Sequence, residues 1–290
     1  MNRHALGERS SFDGPDGTLS YYRTGTGEPL ILLHSLALSA PLWAGIVDDF
    51  SATHDVVALD QRGHGQSTWS KEDFSIADLA NDVIALMDHL GLASADVLGL
   101  SMGGSVALTL AGLYPDRVRR LVLCDTTAWY GSDAPEAWRE RATQAASRAR
   151  YLQIAFQVDR WYSEEFRRHH PEQVSLATGL FLSCTPAVHA AACRCLGAFD
   201  SRDLLGQITA STLVICGEGD LATPPEMAKT IADGVDGAEL VIAPGRHFSI
   251  FESESLRQII VRHLNGETVS FSFGDDLSST CCKTSHGAVR

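Results

Sequence analysis

The chain has 290 residues, of which 44% are hydrophobic and 20% are charged, a composition typical of a folded globular protein. Its formal net charge is −13 and its basic residues are scattered, which argues against nucleic-acid binding, since that needs a concentrated basic surface. The N-terminus lacks the apolar region of a signal peptide and no run of 18 apolar residues occurs, so we expect a cytoplasmic protein without membrane contact.

Short apolar segments alternate with helical patterns along the chain. Continuous apolar runs are typical of strands buried on both faces of a parallel sheet. Such runs occur at residues 30–34, 55–60, 96–100, 118–124, 212–216 and 239–243. Helices are predicted at residues 76–92, 101–113 and 254–264, the first from apolar residues at spacings of three and four. These strand–helix units predict an α/β fold with a mostly parallel, doubly wound sheet.

The segment from Trp129 to about Leu205 interrupts this alternation. It has helical patterns, holds Trp129, Trp138 and Trp161, and carries many of the arginines. We expect a helical cap at 129–206, inserted between the two parts of the core at 1–128 and 207–266. Residues 267–290 are Ser-rich and aperiodic, which predicts a flexible tail.

The sequence GLSMG at residues 99–103 joins a predicted strand to a predicted helix. In that setting the pattern GxSxG is typical of a nucleophile elbow, in which a sharp turn exposes a serine hydroxyl. Glycines on either side relieve close contacts with neighbouring backbone. A glycine-rich turn that holds a serine by chance is the alternative, and the order of the groups that follow argues against it. The sequence therefore predicts Ser101 as a nucleophile.

A serine hydroxyl needs a base, and the base needs an orienting acid. In this fold the acid and then the histidine follow the serine along the chain. Asp220 follows the predicted strand 212–216, and His247 follows the strand 239–243. Both positions belong to the carboxyl edge of the sheet, where ligands bind. We predict Asp220 as the acid and His247 as the base.

Other acidic residues and histidines compete for these roles. Glu218 lies two residues before Asp220, and Asp125 also follows a predicted strand. His64 precedes the nucleophile and is expected to pack in a turn at the sheet edge. His169 and His170 fall in the predicted cap, where we expect them to be solvated.

Acyl transfer also requires two backbone amides that bind the developing oxyanion. One belongs to the residue after the nucleophile, which is Met102. For the other we assign Leu36, in the loop after the strand at 30–34. The seven cysteines are odd in number and fit no zinc-site spacing, so we expect neither a metal nor a cofactor.

Several stretches resemble the α/β-hydrolase superfamily, over roughly residues 15 to 265, and within it the 3-oxoadipate enol-lactonases. They are HSLALSAPLW (34–43), DQRGHGQS (60–67), GLSMGG (99–104), RLVLCDT (120–126) and RWYSEEF (160–166). The resemblance implies a Ser–Asp–His triad that opens a carboxylated enol-lactone in aromatic-compound catabolism, without metal or cofactor. His34 and Ala37 depart from the family, which has Asn and Gly there.

A carboxylated substrate would need a local cation in this acidic protein. We expect Arg160 to bind the carboxylate and Trp161 to line the pocket, although a solvated arginine and a core tryptophan are equally consistent with the sequence. Alternative functions are a carboxylesterase or amide hydrolase, a perhydrolase, a carbon–carbon bond hydrolase, which usually has Asn where Leu100 stands, and a hydrolase-fold receptor with little turnover. The oligomeric state is left open.

Overall fold

An eight-stranded sheet forms the centre of the computed structural model, which describes residues 6–267. The strands are β1 (Glu8–Gly14), β2 (Gly17–Gly25), β3 (Glu28–Leu33), β4 (His54–Asp60), β5 (Ala95–Leu100), β6 (Val118–Cys124), β7 (Ser211–Gly217) and β8 (Glu239–Ala243). Their order is β1-β2-β4-β3-β5-β6-β7-β8. Strands β1, β2 and β4 pair antiparallel, and all other neighbours pair parallel. The predicted tail lies outside the described residues from position 268 onward.

The parallel part of the sheet contains the six strands that the apolar runs predict, each within two residues at either end. Strands β1 and β2 were not predicted. They form a hairpin with exposed positions, and β1 buries only Phe12, so neither strand has a continuous apolar run. A half-exposed antiparallel strand gives a weaker sequence signal than a strand covered on both faces.

Helices flank the sheet. They are α1 (Val47–Ser51), α2 (Ile76–His89), α3 (Met102–Leu113), α4 (Ala134–Ser147), α5 (Ile154–Trp161), α6 (Glu164–His169), α7 (Pro171–Ser183), α8 (Pro186–Gly197), α9 (Pro225–Gly234), α10 (Ser249–Glu252) and α11 (Glu254–Leu264). Helix α2 begins with a capping box in which Ser75 and Asp78 satisfy each other's backbone amides. Helix α3 is buried on all sides, except at Leu113, and directly follows the central strand β5.

The five helices α4 to α8 lie between β6 and β7 and form the predicted cap, so the predicted fold class is confirmed. Helices α4 and α8 pack closely together, and a short bridge between Trp129 and Asp200 closes the base of the cap. Among residues 6–267 no single helix is long and apolar enough to cross a membrane. Helices α7 and α8 meet that criterion only as a pair, which is bent by 96°.

Candidate active site

Ser101 occupies a strained turn between β5 and α3. Its backbone angles are φ 56° and ψ −118°, in a region that side chains rarely adopt. A Cβ atom on Gly99 would lie 2.2 Å from the carbonyl oxygen of Gly103. One on Gly103 would lie 2.1 Å from the carbonyl oxygen of Leu33. Backbone crowding therefore accounts for both glycines of the GxSxG pattern.

Ser101, His247 and Asp220 form one chain of hydrogen bonds. The His247 Nδ1 atom lies 2.8 Å from Asp220 Oδ2, and the His247 Nε2 atom lies 2.8 Å from Ser101 Oγ. An ionised carboxylate only accepts hydrogen bonds, so Nδ1 carries the proton and Nε2 is free to accept from the serine hydroxyl. All three side chains are buried. The structure thus brings the three residues predicted for the triad together.

The loop after β7 holds Asp220 in its ionised form. Burial by itself would raise the pKa of this carboxyl, but the charge that His247 acquires and several hydrogen bonds lower the pKa below its ordinary value. Oδ1 accepts from the backbone amides of Ala222 and Thr223, at 2.6 and 3.1 Å. Oδ2 accepts from the Thr223 hydroxyl at 2.8 Å. The carboxylate is therefore fixed on the side of the imidazole opposite the serine.

The competing acids do not contact His247. Glu218 is exposed at the start of the same loop. Asp125 is fully buried, but its carboxylate accepts hydrogen bonds from Gly217 and Ser249 instead.

The competing histidines lie elsewhere. His64 is buried in the turn after β4, where Nδ1 bonds the carbonyl of Arg62 at 3.0 Å and the ring packs against His34. His169 and His170 are exposed on the cap.

The loop after β3 runs beside the nucleophile. Leu36 lines the same cavity as Ser101, and Met102 is the first residue of α3, so its amide has no acceptor within the helix. The Gln61 amide donates to His34 Nε2 at 3.1 Å, so the proton of the neutral His34 ring is on Nδ1, 2.8 Å from the Ser35 carbonyl. This bond fixes the loop immediately before Leu36.

A cavity of about 180 Å³ lies between the triad and the cap. Its walls come from the loop after β3, the triad and helices α4, α5, α7 and α8. The lining residues are Ser35, Leu36, Ser101, Tyr130, Trp138, Arg141, Gln157, Arg160, Trp161, Phe181, His189, Leu196, Ala222, Thr223 and His247. The cavity suits a small substrate, and its lining includes both aromatic rings and two guanidinium groups.

Two guanidinium groups reach this cavity. Within residues 6–267, no carboxylate lies within 4.0 Å of the side-chain nitrogens of Arg141 or Arg160. Arg160 donates to the carbonyl of Leu221 at 3.2 Å, and Arg141 lies over the ring of Trp138. Burial, and next the charge of Arg141, lower the pKa of Arg160. The predicted residue Arg160 therefore faces the site together with a second cation.

Trp161 combines both roles considered for it. It lines the cavity and is 5% exposed, while its ring stacks on Phe248 at 5.3 Å and meets Phe181 edge-on. Its carbonyl accepts from the Phe248 amide at 2.9 Å, directly after His247. The tryptophan thus joins the cap to the loop that carries the histidine.

A family model described as the alpha/beta hydrolase fold matches residues 28–254. The chain belongs to the α/β-hydrolase family. The 3-oxoadipate enol-lactonase 2 of Acinetobacter baylyi is 29% identical over 228 residues, which cover 78% of this chain and 82% of that protein. A pimeloyl-(acyl-carrier protein) methyl ester esterase of Nitrosomonas europaea is 28% identical over 240 residues, covering 76% and 88% of the two chains.

Comparison with a solved structure supports the same family. The enol-lactonase from Burkholderia xenovorans LB400 superimposes with a TM-score of 0.84 at 30% identity, over 88% of this hydrolase and all of that chain. The resemblance to enol-lactonases that the motifs indicated is confirmed.

Several cavity residues of this hydrolase were missed from the sequence, above all Arg141. A signal was present, because Trp138 and Arg141 are three positions apart on α4 and so lie on one face of that helix. On α5, Gln157 precedes Arg160 by three positions and Trp161 by four, which likewise places it beside both on the helix surface. The spacing alone does not say which face meets the cavity.

Three possible metal ligands of this hydrolase lie within 4.8 Å of one another, at Asp125, Cys216 and Asp220. Both carboxylates already accept hydrogen bonds from the surrounding loops. The Cys216 thiol donates to the carbonyls of Gly217 and Thr223, and burial raises its pKa, so it stays protonated. A metal needs the thiolate, so this donor set fits a metal poorly.

Proposed function

We propose that this protein is a serine hydrolase that opens a small carboxylated ester or lactone through an acyl-enzyme, with an activity similar to that of 3-oxoadipate enol-lactonases. The observation that carries the proposal is the unbroken chain of hydrogen bonds from Ser101 through His247 to Asp220. The enol-lactonase relatives support the choice of a lactone.

The geometry leads to a mechanism in two halves. His247 Nε2 takes the hydroxyl proton while Ser101 Oγ attacks the carbonyl carbon, and the resulting oxyanion binds the amides of Leu36 and Met102. When the carbonyl re-forms, the ring C–O bond breaks and His247 returns its proton to the leaving oxygen. A water molecule then attacks the acyl carbon while His247 takes its proton. The bond between that carbon and Ser101 Oγ breaks, and His247 returns the proton to Oγ, which releases the acid and restores the free enzyme. Asp220 remains ionised and stabilises the imidazolium.

The cations of the cavity support a substrate with a carboxylate. The chain has a net charge of −13, so its average field repels an anion. Arg141 and Arg160 reverse this locally, and neither has a carboxylate partner within the described part of the protein. A guanidinium binds a carboxylate through two parallel hydrogen bonds. We therefore infer that the substrate's carboxylate lies between these two arginines and its reacting carbonyl lies at Ser101.

Turnover of a carboxylated enol-lactone, compared with that of a neutral ester of similar size, tests the proposal. We expect kcat/KM to be at least about tenfold higher for the lactone, since one charge-assisted hydrogen bond contributes about 1.5–3 kcal/mol. Ser101→Ala should abolish both activities. Persistence of either activity in Ser101→Ala would exclude the serine mechanism.

The role of the two arginines can be tested against a control arginine on α4. Arg141→Met and Arg160→Met should each raise KM for the carboxylated lactone about tenfold or more and leave KM for the neutral ester within about twofold. Arg139→Met is the control, because Arg139 pairs with Glu136 on the exposed face of α4. Equal losses for both substrates would assign the arginines to cap folding rather than to anion binding.

The second candidate function is hydrolysis of a simple ester, because one relative is a methyl ester esterase. Its signature would be a higher kcat/KM for the neutral ester and no effect of either arginine variant on substrate choice. Binding without turnover of any of these compounds would point instead to a receptor.

A further inference from the structure

Asp125 joins the loops of the proposed triad. It follows β6, between the strand that leads to Ser101 and the strand that leads to Asp220. Its side chain is fully buried, and its backbone has φ 47°, which is uncommon outside glycine. A carboxyl group in such a place is unfavourable unless its hydrogen bonds are satisfied.

The carboxylate accepts from two different loops. Oδ1 accepts from the Gly217 amide at 2.8 Å, three residues before Asp220. Oδ2 accepts from the amide and the hydroxyl of Ser249, at 3.0 and 2.8 Å, two residues after His247. One rigid group therefore ties the loop of the acid to the loop of the base.

The neighbouring residues tie the same turn to the nucleophile. The carbonyl of Cys124 accepts from the Ser101 amide at 2.9 Å, and the Thr126 hydroxyl donates to the Ser101 carbonyl at 2.7 Å. The turn at residues 124–126 thus contacts all three loops that carry the triad.

We propose that Asp125 is a positioning residue for the hydrolase reaction, which sets the spacing of Asp220 and His247 relative to Ser101. The proposal rests on the proposed serine mechanism. Asp125 itself lies within 4.8 Å of Asp220 but does not bond His247, so it acts through the two loops. Burial, and next the charge of Asp220, raise the pKa of Asp125, and the hydrogen bonds from Gly217 and Ser249 oppose that rise in favour of the carboxylate.

The test replaces Asp125 by Asn, which keeps the shape but has one accepting oxygen instead of two. Asn accepts from one loop and turns its amide NH₂ toward the donors of the other. We expect kcat for the lactone to fall roughly ten- to hundredfold, as a displacement near 1 Å does in an active site, with KM within about twofold of wild type. KM is spared because Asp125 does not line the cavity.

Asp96→Asn is the matched control. Asp96 is equally buried and pairs with Arg119, at the opposite end of the neighbouring strand β5. We expect this variant to lose stability and keep kcat. A loss of kcat in Asp125→Asn no greater than that in Asp96→Asn would overturn the positioning role.

Two further measurements extend the test: the first needs no substrate, and the second uses a different variant. The His247 Nδ1 proton, held by Asp220, should give a strongly deshielded NMR signal that shifts or broadens in Asp125→Asn and stays unchanged in Asp96→Asn. An unchanged signal would contradict the proposal. Should Asp125→Asn not fold, Ser249→Ala removes one bond to the same carboxylate and should lower kcat several-fold; wild-type kcat there would overturn it.

The double variant separates positioning from direct catalysis. If Asp125 served as a second acid, Asp220→Asn would keep substantial activity that Asp125→Asn then abolished, and the positioning role would be wrong. We expect instead that Asp220→Asn alone removes nearly all activity. The two failures can be told apart. If the wild-type protein shows no Ser101-dependent turnover, the proposed function is wrong and the positioning role fails with it; if the wild-type protein turns over but Asp125→Asn keeps wild-type kcat and an unchanged His247 signal, only the positioning role is wrong.

Discussion

Three buried histidines make the stability of this protein sensitive to mild acid. His34, His64 and His189 are each at most 1% exposed. Burial lowers the pKa of His34 and His189 to about 3 and that of His64 to about 4, and the charge of Arg150 adds to the lowering at His64 and His189. In an unfolded chain a histidine has a pKa of about 6.5. The folded protein therefore keeps all three neutral at pH values where the unfolded chain is protonated.

The sign and size of the effect follow from this difference. A group whose folded pKa is lowered contributes stability above its unfolded pKa and loses it as the pH falls toward the folded pKa. When the pH falls from 7.5 to 5, protonation stabilises the unfolded state relative to the folded state by about 2 kcal/mol for each histidine, or about 6 kcal/mol for three. Typical domains have 5–15 kcal/mol in total, so a loss of this order brings the protein close to unfolding.

The comparison of one variant with wild type isolates the contribution of one histidine. His189→Gln keeps an acceptor for Arg150, which donates to His189 Nδ1 at 3.0 Å. The free energy of unfolding, measured with urea, should fall between pH 7.5 and pH 5 by about 2 kcal/mol less in the variant than in the wild type. Buried carboxyl groups titrate equally in both proteins and cancel. His169→Gln, at an exposed site, is the control, and an identical pH dependence in wild type and His189→Gln would refute the reasoning.

Three other predictions concern the site. Ser101→Ala, His247→Ala and Asp220→Asn should each lower kcat by about 10³- to 10⁶-fold without adding in combination, as groups that act as one unit do; additive losses would contradict the triad. EDTA should leave kcat unchanged, and a loss restored by zinc would show a metal requirement. Ala37→Gly should raise the free energy of unfolding by about 1 kcal/mol and preserve kcat, because Ala37 has φ 59°; a lower denaturation midpoint would count against strain there.

The sequence predicts the core of this fold well for a physical reason. Strands covered on both faces must be apolar throughout, and this pattern locates β3 to β8 within two residues. The positions of Asp220 and His247 follow from the same pattern, since both residues come directly after such strands. The same pattern does not predict the hairpin of β1 and β2, because its strands are partly exposed and therefore not apolar throughout.

The contribution of the cap to the site is harder to predict, because it depends on how the cap helices are oriented. A helix can rotate its faces with little change in its own energy, so the orientation of α4 is set by packing against α8 and that of α5 by packing against α7. Trp138 and Trp161 are buried aromatic residues that fix these orientations, and Arg141 and Arg160 reach the cavity because they lie beside those tryptophans. In this protein substrate recognition is therefore tied to cap packing: a substitution that repacks Trp138 also moves a guanidinium that we propose binds the substrate.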